Sequence, residues 1–175
     1  IVALTSHEDS IVAAKAFATP SFKVRPSDDV VGVEIGAALK NIVALAAGFC
    51  DGMNLGANTK AIVMARGFQE IYRAAASLGA WSDSFVKESA ILGDVLTTCI
   101  SPDSRNRTTG EHLGKGLSVE EALKLLKGRV CAGLETIQIC RMFEKLNVKL
   151  PIMTALCDLS EGRITREECL AKILQ

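Results

Sequence analysis

Three short stretches of this 175-residue chain carry side chains whose types and surroundings suit chemistry. The first centres on Lys40, the only charge between Glu34 and Asp51 in an otherwise apolar run. Withdrawing an ammonium from water is costly. Either its stem snorkels and carries the charge to the surface, or a partly desolvated amine serves as an acid/base group. Asn41 follows directly, about 100° further round a helix, and adds a polar group beside the lysine. The second stretch is Leu92-Gly93-Asp94-Val95-Leu96-Thr97-Thr98-Cys99, in which Thr98 lies one turn beyond Asp94. Asp94 is either a helix cap or a carboxylate delivered to a site. The third, residues 101–110, holds Ser104, Arg105, Asn106 and Arg107. Helix N–H groups and a planar guanidinium suit a phosphate, and an exposed capped turn with surface arginines is the other reading. Neither a G-x-G-x-x-G turn nor a P-loop occurs, so the sequence carries no nucleotide fingerprint.

The elements that must position these groups are mostly helices. Residues 29–50 are apolar on nearly every side, which predicts a buried central helix, and Gly36, Ala37, Ala44, Ala47 and Gly48 would let neighbouring backbones approach closely. A second long helix is expected over 58–78, with Gly79 as its stop. Shorter helices are expected over 84–89, 94–100, 104–113, 119–127, 133–146 and 152–161. Thr165 and Glu168 form a capping box for a last helix ending near Leu174. Ahead of this body, residues 1–6 and 21–25 alternate like short strands and 7–19 like a helix ended by Pro20. A strand–helix–strand unit of that size belongs to a larger α/β sheet. The expected architecture is therefore mainly α, a multi-helix bundle behind a small α/β remnant.

Composition narrows the function classes. Twenty basic residues balance 20 acidic ones, against nucleic acid or an anionic membrane as the main partner. The 49% hydrophobic content excludes disorder. The longest charge-free part of the apolar region, residues 41–50, is about half of the roughly 20 residues that span a bilayer, so no membrane span is expected. Six dispersed cysteines without a C-x-x-C pair read as buried apolar residues of a reducing compartment, with the cytoplasm expected and a eukaryotic organelle left open. His7 and His112 are the only histidines and have no ligand at metal spacing, so no metal site is expected. The chain opens at Ile1 without an initiator Met or a signal-peptide layout, as a fragment or a processed product would.

The run Glu34-Ile35-Gly36-Ala37-Ala38-Leu39-Lys40-Asn41-Ile42-Val43-Ala44 continues through Ala47-Gly48-Phe49-Cys50-Asp51-Gly52 to Asn58-Thr59-Lys60. With Gly93-Asp94, Thr98-Cys99, Ser104-Arg105-Asn106 and Gly133 followed by Glu135-Thr136, it resembles the NAD-dependent glycerol-3-phosphate dehydrogenases, in the family's order and spacing. The resemblance implies a helical domain of the 6-phosphogluconate-dehydrogenase C-terminal-like type over 29–175. It makes 1–28 the tail of an N-terminal NAD-binding Rossmann domain, and implies that the chain alone is inactive. It gives Lys40 the proton exchange with the C2 oxygen of glycerol 3-phosphate or dihydroxyacetone phosphate, and Asp94 the control of its charge. Asn41 and Thr98 would hold substrate oxygens, while Ser104, Arg105 and Asn106 would take the phosphate. Arg105, Val130 and Ala132 would touch the NAD, and a homodimer through the helical domain is expected.

Three positions depart from the family's pattern: Ala37 and Ile91 replace commoner glycines, and Ala132 replaces a Glu or Gln that contacts the cofactor. Two other readings compete. One is a related dehydrogenase of the 3-hydroxyacid or 6-phosphogluconate type, where Lys and Asn are separated rather than adjacent. The other is a non-catalytic helical dimerisation module.

Overall fold

A computed structural model describes residues 1–80 and 89–175; the expected helix at 84–89 lies almost entirely outside the described residues. Strand β1 (Val2–Ala3) leads into helix α1 (His7–Phe17), which Ser6 caps by accepting from the Asp9 N–H. Strand β2 (Pro26–Ser27) then pairs parallel with β1, Val2 opposite Pro26 and Ala3 opposite Ser27. The second strand therefore sits later than the expected 21–25. Thr19 and Phe22 exchange both backbone hydrogen bonds, and that tight turn occupies the groups a strand there would need. Pro26 suits its place, because β2 bonds to β1 through the carbonyls of Arg25 and Ser27 and needs no N–H from the proline.

From Asp29 onward the body is helical, as the periodicity predicts. Helix α2 (Val30–Gly52) starts at Asp29, whose carboxylate accepts from the Gly32 N–H at 2.9 Å. It runs through the centre of the bundle, with Leu39 and residues 42–50 buried. At 23 residues it is long and apolar enough to cross a membrane, a length the charge-free count alone does not reveal; half of its apolar stretch is buried inside the bundle. Helix α3 (Gly56–Ser77) follows a turn in which Asn54 and Gly56 adopt positive φ. Helix α4 (Ser89–Ile100) begins earlier than expected and passes through Gly93 without a break.

Helix α5 (Arg105–Gly114) starts at Ser104, whose hydroxyl accepts from the Arg107 N–H at 3.3 Å. It crosses α2 without side chains between the backbones. A Cβ on Gly48 would stand 1.8 Å from the Arg107 carbonyl oxygen, and one on Gly110 2.0 Å from that of Leu45. Gly52 and Gly114 repeat the arrangement a turn further along each helix. Helix α6 (Val119–Leu125) opens on a capping box made by Ser118 and Glu121.

The single helix expected over 133–146 is two, α7 (Ala132–Thr136) and α8 (Ile139–Lys145). Cys140 and Arg141 bond to Ile137 and Gln138 three residues back, a tightened turn that resets the axis between them. Helix α9 (Pro151–Ser160) has no side-chain cap of its own. Glu70 of α3 replaces it, fully buried and accepting from the N–H groups of Ile152 and Met153 at 2.8 and 3.1 Å. The final helix, α10 (Arg166–Leu174), carries the expected Thr165–Glu168 capping box.

Candidate active site

The central result is the meeting of Lys40 and Asp94. They lie 54 positions apart, yet Lys40 Nζ donates to Asp94 Oδ2 at 2.5 Å. The lysine stem does not run out freely into solvent, since its side chain is only 22% exposed and its charge ends on a carboxylate. Asp94 is no cap, because α4 begins five residues earlier. Asp94 borders a cleft of about 250 Å³, lined also by Ile1, Val33, Gly36, Ala37 and Ile91. Thr98 shares the Asp94 side of α4 and donates its hydroxyl to the Asp94 carbonyl at 2.6 Å, leaving its oxygen lone pairs for another partner.

The two arginines of the third stretch have different fates. Arg107 donates to Asp51 at 2.8 Å, to Glu111 at 3.1 Å and to the Ser101 carbonyl. Lys60 completes this network on Asp51 at 2.7 Å, so it locks the end of α2 to α3 and α5. The Lys115 ammonium bonded to Glu111, helped by the Arg107 guanidinium, holds that carboxyl below the usual range. Arg105, the first residue of α5, is exposed; its carbonyl accepts from the Thr109 hydroxyl at 2.8 Å, but its guanidinium makes no hydrogen bond or ion pair with the described residues. Its fork is therefore available to an anion. Ser104 spends its hydroxyl oxygen on capping α5.

Asn41 and Asn106 are hydrogen-bonded to each other. Asn106 Nδ2 donates to Asn41 Oδ1 at 2.8 Å, while Asn106 Oδ1 accepts from the Gly133 N–H at 2.8 Å and from the Cys131 thiol at 3.3 Å. Asn41 Nδ2 donates to the carbonyls of Ala37 and Ala38. Sequence reasoning singled out both asparagines but missed their pairing and the Gly133 amide at its end. The adjacent Gly133-x-Glu135-Thr136 run was the only signal for it.

Val130 is half exposed and Ala132 is the first residue of α7. Val130 presents an apolar side chain, and Ala132 a methyl group with no side-chain hydrogen bond. Burial pushes the thiols of Cys50 and Cys99 up to about 11 and about 12, so neither is a nucleophile near neutrality. Among the described residues no group of three or more His, Cys, Asp or Glu side chains could hold a metal.

Known proteins resemble this chain over most of its length. Residues 29–171 match the family described as NAD-dependent glycerol-3-phosphate dehydrogenase C-terminus. A glycerol-3-phosphate dehydrogenase [NAD(P)+] of Clostridium tetani is 45% identical over 84% of this chain and 42% of its own length. One from Corynebacterium kroppenstedtii is 38% identical over 100% of this chain and 53% of its own length. The crystal structure of glycerol-3-phosphate dehydrogenase from Coxiella burnetii superposes with a TM-score of 0.90 at 28% identity, over 99% of this chain and 53% of that one. This chain spans about half the length of the curated relatives it matches. It is a member of the NAD-dependent glycerol-3-phosphate dehydrogenase family, corresponding to the C-terminal domain.

Proposed function

We propose that this chain supplies the proton-transfer and phosphate-binding half of an enzyme that interconverts sn-glycerol 3-phosphate and dihydroxyacetone phosphate. The observation that carries the reading is the Lys40–Asp94 contact, together with an unengaged Arg105 guanidinium at the start of α5. An alcohol that becomes a ketone loses a proton from its oxygen, and a lysine amine at that oxygen can take it; in reverse the ammonium returns it. Asp94 accepts from Nζ and orients it. Arg105 would grip the phosphate, so that binding far from the reacting carbon sets C2 against Lys40. Thr98 would offer its hydroxyl oxygen to a substrate O–H.

NAD, when bound, accepts the hydride that leaves C2. Val130 fits such a cofactor as an apolar surface and Arg105 as a cation; Ala132 contributes shape alone. Most of the dinucleotide would be held by an N-terminal Rossmann domain, of which residues 1–28 would be the last part and 29–175 the substrate domain. The exposed Val12, Phe17 and Phe22 favour that packing. A homodimer also belongs to this reading. The groove between α3 and α4, about 760 Å³ and lined by Met64, Phe68, Leu92, Leu96 and Ile100 among others, is apolar surface that a second copy would cover. Sedimentation showing a monomer would refute the dimer. The cytoplasm is the proposed compartment.

The deciding experiment is Lys40→Met in the dehydrogenase that contains this chain, assayed with dihydroxyacetone phosphate and NADH. Loss of an acid/base group lowers kcat by roughly 10²–10⁴-fold. An unchanged kcat would overturn the assignment.

A further inference from the structure

Asn106 sits where three parts of the molecule meet. On one side it follows Arg105, the free cation of α5. Its Nδ2 reaches the α2 residue next to Lys40, and its Oδ1 holds the Gly133 amide just after Val130–Ala132. Asn106 is 9% exposed; its bond to Gly133 is buried and its bond to Asn41 partly buried. The polarity of the chain of amides is set by the backbone at both ends. Gly133 can only donate, which fixes Asn106 Oδ1 as acceptor and Nδ2 as donor. Asn41 must then accept through Oδ1, which leaves its Nδ2 for the carbonyls of Ala37 and Ala38. Neither amide can be turned over without setting like poles against each other.

Sterics reinforce the link. A Cβ on Gly133 would stand 2.7 Å from the Asn41 carbonyl oxygen and 2.8 Å from a Leu45 methyl, so α7 rests directly on the α2 backbone. Displacing Gly133 displaces the residues immediately before it.

We propose that Asn106 is a positioning residue whose amide ties the 130–133 segment to the Lys40 helix, so that the phosphate grip and the cofactor-facing wall keep one fixed relation. The proposal rests on the functional reading above. It differs from a simple ligand role for Asn106: a residue that only holds phosphate matters solely to substrates with a phosphate, whereas a tie matters to the cofactor as well.

Asn106→Ser and Gly133→Ala test it. A serine is too short to span Asn41 and Gly133 together. The alanine forces α7 off α2 without altering Asn106. In the 175-residue chain, Asn106→Ser is expected to raise hydrogen exchange at the Gly133 amide at least about fivefold, the worth of one lost hydrogen bond near 1 kcal/mol. In the active dehydrogenase, both variants are expected to raise KM for NADH about fivefold or more. Asn106→Ser should also depress turnover of phosphate-free dihydroxyacetone as much as that of its phosphate.

A rise in KM confined to dihydroxyacetone phosphate would return Asn106 to a ligand and overturn the tie. So would a lower Tm with unchanged NADH and substrate constants per folded molecule, which is what a purely structural residue gives. If Asn106→Ser fails to fold, Gly133→Ala with an unmoved KM for NADH overturns the proposal on its own. Absence of turnover in the wild-type enzyme would sink the functional reading and this proposal with it; normal wild-type turnover with an unmoved NADH constant sinks the proposal alone.

Discussion

Replacing Gly48 by alanine should destabilise this protein, although alanine is the better helix former. The added methyl would lie 1.8 Å from the Arg107 carbonyl oxygen, 2.7 Å from its carbon and 2.9 Å from the Glu111 nitrogen. Ordinary contact begins near 3.4 Å, so the helices would have to part by about 1.6 Å. All three atoms are backbone, and no rotamer change can relieve the clash. Overpacking of this kind costs about 3 kcal/mol, at the upper end of the usual range. The helix gains back about 1 kcal/mol from replacing glycine. The net loss is about 2 kcal/mol, or roughly 4–8 °C in Tm for a chain of this size.

Gly93→Ala is the matched control. It lies inside α4, it is exposed, and a Cβ there meets nothing within 4 Å. Its expected effect is a gain of about 0.5–1 kcal/mol. Differential scanning calorimetry of both variants decides the matter. A Tm for Gly48→Ala at or above wild type would refute the claim that α2 and α5 touch backbone to backbone.

Arg105→Lys keeps the charge but loses the planar fork, and kcat/KM for dihydroxyacetone phosphate should fall roughly tenfold to over a hundredfold; unchanged kinetics would return Arg105 to an ordinary surface residue. Glu70 should make the fold more stable as pH falls from about 6 to 4.5. Burial raises its pKa to about 6 in the folded state against 4.5 when exposed, so the folded chain binds the proton first, worth at most about 2 kcal/mol. Denaturation of Glu70→Gln should lack that rise over the same interval, while wild type and variant should both weaken further down as Glu111 and Asp158, held low by their cationic neighbours, take up protons. All six cysteines are buried, so a thiol reagent should label the native chain slowly and the unfolded chain six times; rapid native labelling would contradict the core described above.

Much of the architecture was legible in the chain because helical periodicity is a local property. The lone charge on an apolar helix marked Lys40 for the same reason: its oddness shows against its immediate neighbours. Its partner did not show in this way. Nothing in the spacing of Lys40 and Asp94 says that α2 and α4 place them together, and only the resemblance to a known family paired them. Arg105 and Arg107 look equivalent in sequence. The Arg107–Glu111 pair is local, four residues apart on α5, but the contact with Asp51 arises from how α5 crosses α2. The split between α7 and α8 was invisible because residues 137 and 138, Ile and Gln, are both acceptable in a helix. The tie from Asn106 to Gly133 runs to a backbone N–H, a group every residue but proline has, so no residue type could announce it.

The buried carboxylate at the head of α9 has a consequence for how the chain assembles. A helix start without a local cap is poorly nucleated, and α9 borrows its cap from a residue 82 positions earlier. During synthesis or refolding, α9 therefore gains its first turn only after α3 has docked and the long intervening loop has closed. The C-terminal pair α9 and α10 should consolidate late, on a template already formed by α2 and α3. Substitutions in α9 are thus expected to speed unfolding while leaving the folding rate nearly unchanged.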